Sequence, residues 1–133
     1  MRTTRFIFGF LVLSSLLLTS CYNEARHCAD YKTGTFEFTY MENGEEKTAK
    51  FVRTQDFSID YIGGVADSSS VRWINDCEFI LKKLRPTTNL EKKPIHMKIL
   101  STTADSYTFE YKYAVNDLNR SNRTERGVAK KVK

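Results

Sequence analysis

From residue 35 onward, apolar and polar positions alternate in short runs. Residues 35–40 set Phe36, Phe38 and Tyr40 against Thr35, Glu37 and Thr39, and residues 107–113 set Tyr107, Phe109, Tyr111 and Tyr113 against Thr108, Glu110 and Lys112. A period of two is that of an extended strand with one face turned to a core. Weaker runs of the same kind cover residues 48–53, 57–62, 69–74, 78–84, 95–102 and 124–131. Turn-forming stretches lie between them: Glu42-Asn43-Gly44, Gly63-Gly64, Asn75-Asp76 and Thr103-Ala104-Asp105-Ser106. Residues 85–94 are longer and polar, and Pro86 and Pro94 keep them out of a central strand, so they read as an open loop or a loop holding one helical turn. The pattern predicts an all-β fold, an antiparallel meander of about eight strands that closes into a small barrel or curls into a half-open one.

The N-terminus breaks this pattern. Residues 6–18 form one apolar run, Arg2 and Arg5 precede it, and no acidic residue occurs before Glu24. That layout is a secretory signal peptide over residues 1–20. The run is too short to cross a hydrocarbon core of roughly 30 Å as a helix. Leu18-Thr19-Ser20-Cys21 closes it and resembles the bacterial lipobox, which implies that Cys21 takes a diacylglyceryl group, is exposed by cleavage and is then acylated on its amine. Two or three acyl chains, at about 0.8 kcal/mol per buried methylene, make such an anchor permanent. Tyr22 follows the cysteine, so the aspartate that signals inner-membrane retention in some bacteria is absent, and the outer membrane is the expected address. The expected organisation is a signal over residues 1–20, a lipidated anchor and lead-in over 21–33, and a barrel-like domain over 34–133.

Export changes the reading of charge and of cysteine. The full chain carries a net charge of +5, but loss of Arg2 and Arg5 leaves 19 basic against 16 acidic residues, or +3. A near-balanced domain gives no electrostatic argument for nucleic acid as a partner. The C-terminal cluster of Arg120, Arg123, Arg126, Lys130, Lys131 and Lys133 reads as a solvated edge strand and tail, with attraction to anionic headgroups as the alternative. With Cys21 lipidated, Cys28 and Cys77 remain as an even pair in an oxidising compartment, and a disulfide between them is expected. The alternative is a thiol or metal site. Without Cys-x-x-Cys, and with only His27 and His96 to help, the spacing matches no familiar metal centre, so neither metal nor cofactor is expected.

Two resemblances add to this. Gly34-Thr35-Phe36 looks like the glycine-x-aromatic opening of lipocalin-type β-barrels, with Phe36 standing where that pattern has tryptophan. A closer resemblance is to small uncharacterised bacterial lipoproteins that carry Tyr31-Lys32-Thr33-Gly34-Thr35-Phe36, then Ser70-Val71-Arg72-Trp73-Ile74-Asn75-Asp76-Cys77-Glu78, then His96-Met97-Lys98-Ile99. Some of those proteins are called type II topoisomerases. Such an enzyme needs an ATPase module, an acidic metal-binding cluster and a cleavage domain, none of which fits a lipidated domain of this size.

The search for chemistry is sparse in results. Gly-x-Ser-x-Gly, His-Glu-x-x-His, the phosphate-binding Gly-x-x-x-x-Gly-Lys and the EF-hand loop are all missing, so no catalytic residue is assigned. Ser68, Ser69 and Ser70 have His96 downstream as a conceivable base, but a lone histidine on an alternating strand is usually an ordinary residue. Asp60, Asp67 and Asp76 could meet at strand ends around a cation, though hairpin turns explain them as well. The segment that concentrates unusual residues is 72–78. Its structural reading makes Trp73 a core plug and pairs Arg72 with Glu78 or Glu110 across the sheet. Its functional reading places Trp73, Tyr111 and Tyr113 around a cavity for an apolar tail, with Arg72 or Lys98 fixing an acidic head. Two non-catalytic classes follow: a membrane-anchored binder of a small amphipathic ligand, or a structural component that offers a face to an envelope protein. A cavity of a few hundred cubic ångströms favours the first, and a packed interior with an exposed aromatic patch favours the second.

Overall fold

The computed structural model describes residues 25–115 and 123–133. Cys21 and the signal over residues 1–20 lie outside the described residues. A 3-10 turn, η1 (Cys28–Tyr31), precedes eight strands: β1 (Gly34–Glu42), β2 (Glu45–Arg53), β3 (Phe57–Ile62), β4 (Val65–Asn75), β5 (Glu78–Lys83), β6 (Ile95–Thr102), β7 (Ser106–Tyr113) and β8 (Glu125–Val132). Each pairs antiparallel with the next, and β8 returns to β1 through Thr35↔Val132 and Phe38↔Ala129, which closes the barrel. The predicted all-β meander is therefore present, in its closed form. Closure also changes the status of the basic C-terminus. β8 is no edge strand, and Arg126, Lys130 and Lys131 are held by Glu110, Asp105 and the Asp30 carbonyl.

Two of the hairpins turn on residues with positive φ. Asn43 (φ 54°) and Gly44 (φ 82°) link β1 to β2, and Gly63 (φ 57°) and Gly64 (φ 79°) link β3 to β4. Two successive left-handed residues give the turn whose twist matches the flanking strands, which is why Asn-Gly and Gly-Gly occur there. In an up-and-down barrel these two turns and the 84–94 loop share one end. Residues 54–56, the β4–β5 turn and residues 103–105 share the other, where the chain also enters.

That second end is plugged. Cys28 and Tyr31 of η1 are buried, and the Cys28–Cys77 disulfide ties the turn to the β4–β5 connection. Tyr31 Oη donates to the Thr103 carbonyl (2.8 Å), Arg26 Nη1 donates to the Ile99 carbonyl (3.0 Å), and the His27 amide donates to Thr102 Oγ1 (3.0 Å). Cys28 and Tyr31 of this lead-in thus join the core and cover the inward aromatic faces of β1 and β7 at this end. Phe36, Phe51, Ile99, Tyr107 and Ala129 pack beneath the plug. Phe36 stacks on Phe51 at 4.9 Å between centroids, and its full burial stabilises by roughly 1.5–3 kcal/mol. A second cluster of Val71, Phe79 and Met97 lines the β4–β6 wall.

The outer face is studded with charge. Lys50 meets Glu37 across β1 and β2 (3.2 Å), His96 Nε2 meets Glu78 (3.0 Å), and Arg126 meets Glu110 (3.3 Å). Exposed pairs of this kind contribute little energy. Their placement is informative nonetheless: apolar inside and charged outside is the reverse of a barrel whose outer surface sits in lipid.

Candidate functional site

The barrel interior is not filled. A cavity of about 340 Å³ runs along the inner faces of β1–β3 and β5–β7, walled by apolar side chains that include Phe38, Met97, Phe109 and Tyr111. Its size falls at the lower end of the roughly 300–1,000 Å³ typical of small-molecule sites. A second recess of about 260 Å³ shares Asp60, Leu81 and Ile95 with it and lies toward the end opposite the plug.

Polar groups enter this apolar space at one place. Arg53, at the end of β2, shares a face with Ala49 and Phe51 and is only 3% exposed. Its guanidinium lies 4.5 Å from the ring centroid of Phe79, 5.0 Å from Phe51, 5.3 Å from Phe36 and 5.7 Å from Tyr107. Nη2 donates to Tyr107 Oη (2.7 Å) and Nη1 to the Tyr31 carbonyl (3.3 Å), while Nε is buried and has no partner among the described residues. Aromatic faces compensate part of the desolvation of a cation. An unsatisfied charged N–H still costs on the order of 1–3 kcal/mol. Burial pushes the Tyr107 hydroxyl above its ordinary range against the opposing charge of Arg53.

Asp60 stands diagonally across the β2–β3 pair from Arg53, since Phe51 faces Asp60 and Arg53 faces Ser58. Ser58 is 2% exposed, and its hydroxyl donates to Asp60 Oδ1 (3.3 Å). Burial raises the Asp60 carboxyl above the usual carboxylate range; the Ser58 hydrogen bond and the Arg53 charge act downward, and neighbouring Asp67 acts upward. Asp60 lines both the cavity and the recess.

At the end opposite the plug, Lys83 Nζ bridges Asp67 (2.8 Å) and Glu91 (2.6 Å). The second Glu91 oxygen accepts from the Thr87 amide (2.7 Å) and hydroxyl (2.8 Å) and from the Thr88 amide (3.3 Å), and the Glu91 amide donates back to Thr88 Oγ1 (3.2 Å). This reciprocal pattern, familiar from helix starts, orders a single turn within the 84–94 loop. Hydrogen bonds from Lys83 and then Thr87 hold the Glu91 carboxyl down at about 2, and Asp67 followed by Glu91 raises Lys83. Exposed apolar side chains surround the mouth: Met41, Ile62, Val65, Leu84, Leu90 and Val115.

The residues singled out in the sequence divide between inside and outside. Tyr111 lines the cavity and Tyr113 the recess. Trp73 points inward but sits at the plugged end, 4.5 Å from the Phe79 ring with Lys32 Nζ 5.0 Å from its own centroid, and it is not among the cavity-lining residues. Its indole Nε1 is buried without a partner among the described residues. Arg72 is exposed on the outer face, because it alternates with the inward Val71 and Trp73. Lys98 alternates with buried Met97 and Ile99 and lies outside, 3.9 Å from Glu78. Neither cation reaches the interior, which corrects the expectation that one of them would meet an acidic head there. The carboxylates proposed to pair Arg72 are taken by others, Glu78 by His96 and Lys98 and Glu110 by Arg126.

His96 is likewise on the outer face, two strands from the serines of β4. Asp60 and Asp67 face each other across β3 and β4, whereas Asp76 lies at the opposite end, paired with Lys32. Among the described residues no cluster is suited to a metal ion. The groups that sequence reasoning missed are Arg53 and Ser58, and it read Asp60 only as a turn or cation candidate. No protein-family model matches the chain, and no curated protein is significantly similar to it.

Proposed function

We propose that the protein is a lipid-anchored, non-catalytic binder of a small amphipathic molecule, held at the cell envelope through Cys21. The observation that carries the binding half is the unfilled apolar interior with the buried cation of Arg53 in its lining. An apolar space with a few convergent polar groups suits a ligand that is mostly tail with one polar end. The apolar rim supports the same reading, since it offers a dewetted path for such a molecule.

The anchoring half rests on the sequence, and the fold gives it a direction. Ala25 emerges at the plugged end, and the four residues back to Cys21 span at most about 14 Å. A Cys21 anchor therefore holds the plug toward its own bilayer and turns the mouth away from it. Native mass spectrometry of the protein purified from its own envelope tests the binding half: a retained small molecule is expected, and a bare chain under every gentle extraction counts against it. For the anchor, Cys21→Ser is expected to leave the membrane fraction.

One observation favours the alternative, a structural partner of an envelope protein. Phe57 and Tyr61 are 46% and 45% exposed and lie together on the outer face of β3. A protein that co-purifies with the wild type and is lost from Phe57→Ser supports that reading.

A further inference from the structure

The interior raises a charge problem that a ligand must solve. Arg53 brings one buried positive charge, and Asp60 brings a carboxyl into the same cavity. A fully ionised anionic head beside Arg53 would therefore face the Asp60 carboxylate, and two close carboxylates in a desolvated site repel strongly. A neutral ester or ketone could accept from Arg53 but would leave Asp60 unsatisfied. One head group answers both. A carboxyl sharing a single proton with Asp60 accepts from the Arg53 guanidinium through one oxygen and forms an O–H···O bond to Asp60 with the other. Head and Asp60 then carry one negative charge between them, which balances Arg53.

We infer that the cavity recognises amphiphiles with a carboxyl head, seated between Arg53 and Asp60 and sharing one proton with Asp60, with the apolar tail along the aromatic wall. This rests on the proposed reading of the cavity as a binding site and adds the chemistry of the head. Ser58 orients Asp60 by its hydrogen bond and so acts as a positioning residue. The upward shift of Asp60 by burial is consistent with a carboxyl ready to hold that proton.

The other charged groups around Asp60 leave the pairing to these partners. On β4, Asp67 faces Asp60 but is taken by Lys83 of β5, which also holds Glu91. Lys93 lines the recess on the mouth side of Asp60, and Tyr107 is turned toward Arg53. Among the described residues, the deep end of the cavity is left with Arg53 and Asp60 as its charges.

Calorimetric titration of the full chain carrying Cys21→Ser, with decanoic acid and with methyl decanoate as probes, tests this. For the acid, the head and Asp60 together need one proton, so above both carboxyl ranges binding takes one up. The affinity is expected to fall by about tenfold per pH unit there. At pH 8, titrations in buffers of different ionisation enthalpy are expected to show uptake of close to one proton per acid bound, and none for the ester. Asp60→Asn, whose amide can donate to the carboxylate without a proton, is expected to remove the slope and the uptake while still binding the acid. Arg53→Lys is expected to weaken the acid more than the ester.

Acid and ester binding alike with no pH slope would overturn the head assignment while leaving the cavity a binding site. An acid slope that survives Asp60→Asn would overturn the proton sharing. If neither probe binds, both the cavity reading and this inference fail together. The pH slope of the chain with native Arg53 and Asp60 decides the matter even if a variant does not fold.

Discussion

Reducing the Cys28–Cys77 disulfide is expected to destabilise the barrel heavily, and the structure gives the size of the effect. The two cysteines are 49 residues apart and tie η1 to the β4–β5 turn across the plugged end. In the chain-entropy treatment, a cross-link closing a loop of that length restrains the unfolded chain by about 4 kcal/mol. That is a large share of the roughly 5–15 kcal/mol that a small domain has in total. In urea, with a slope of about 2 kcal/mol per molar, the midpoint should drop by about 2 M. The assay compares oxidised chain, reduced chain and the Cys28→Ser/Cys77→Ser double variant by tyrosine and tryptophan fluorescence. Reduced and double-variant chains should agree with each other. The native-state contacts reinforce the direction, because a released η1 also loosens the Tyr31 carbonyl that accepts from Arg53 and the Tyr31 hydroxyl bonded to Thr103. Coincident midpoints for oxidised and reduced chains would refute the reasoning, since they would mean that the cross-link gives no net stabilisation through the unfolded chain.

Three further outcomes are expected. Gly127→Ala should cost about 1–3 kcal/mol in thermal or urea unfolding, because a Cβ there would lie 2.7 Å from the Phe109 ring and must displace it. Tyr107→Phe removes the hydroxyl that accepts from Arg53 Nη2 and should cost about 1.5–3 kcal/mol, since it strands a second N–H of a buried cation. Glu91 should titrate by NMR near 2, and in Lys83→Gln its midpoint should rise toward the ordinary carboxylate range. The depressed value means that the contribution of Glu91 to loop order is complete above its unfolded pKa, near 4.5, and is lost as pH falls from there through about 2.

The strands were legible because their alternation survives into the structure with little change. Phe36 and Phe38 face inward as residues 35–40 implied, and Asn43-Gly44 and Gly63-Gly64 turn where only left-handed residues fit. Closure was less legible, since whether β8 meets β1 depends on tilt and stagger around the whole sheet and not on any local run. At the site, parity held information that composition obscured. Arg72 alternates with Trp73, so the two cannot share a cavity, and the same alternation places Arg53 with Phe51 on the inner face. A cation at a strand end ordinarily reads as solvent-facing. It is buried here because four rings from different strands, Phe36, Phe51, Phe79 and Tyr107, converge on it, a coincidence of tertiary structure that no single run displays. Asp60 was noticed only as a turn or cation candidate, since its place beside Arg53 and Ser58 comes from the β2–β3 register and not from its own run.

The most direct test of the account is whether the interior of the barrel takes up an apolar probe. Met97 is 8% exposed and lines the cavity, so Met97→Trp should fill it from the β6 wall. Titration of an environment-sensitive apolar fluorophore is expected to show saturable one-to-one binding to the Cys21→Ser chain. That binding should be lost in the Cys21→Ser/Met97→Trp chain, with far-ultraviolet circular dichroism and thermal cooperativity retained. Absence of saturable binding in the first chain, or equal binding in a folded second chain, would contradict a ligand cavity at the centre of this protein.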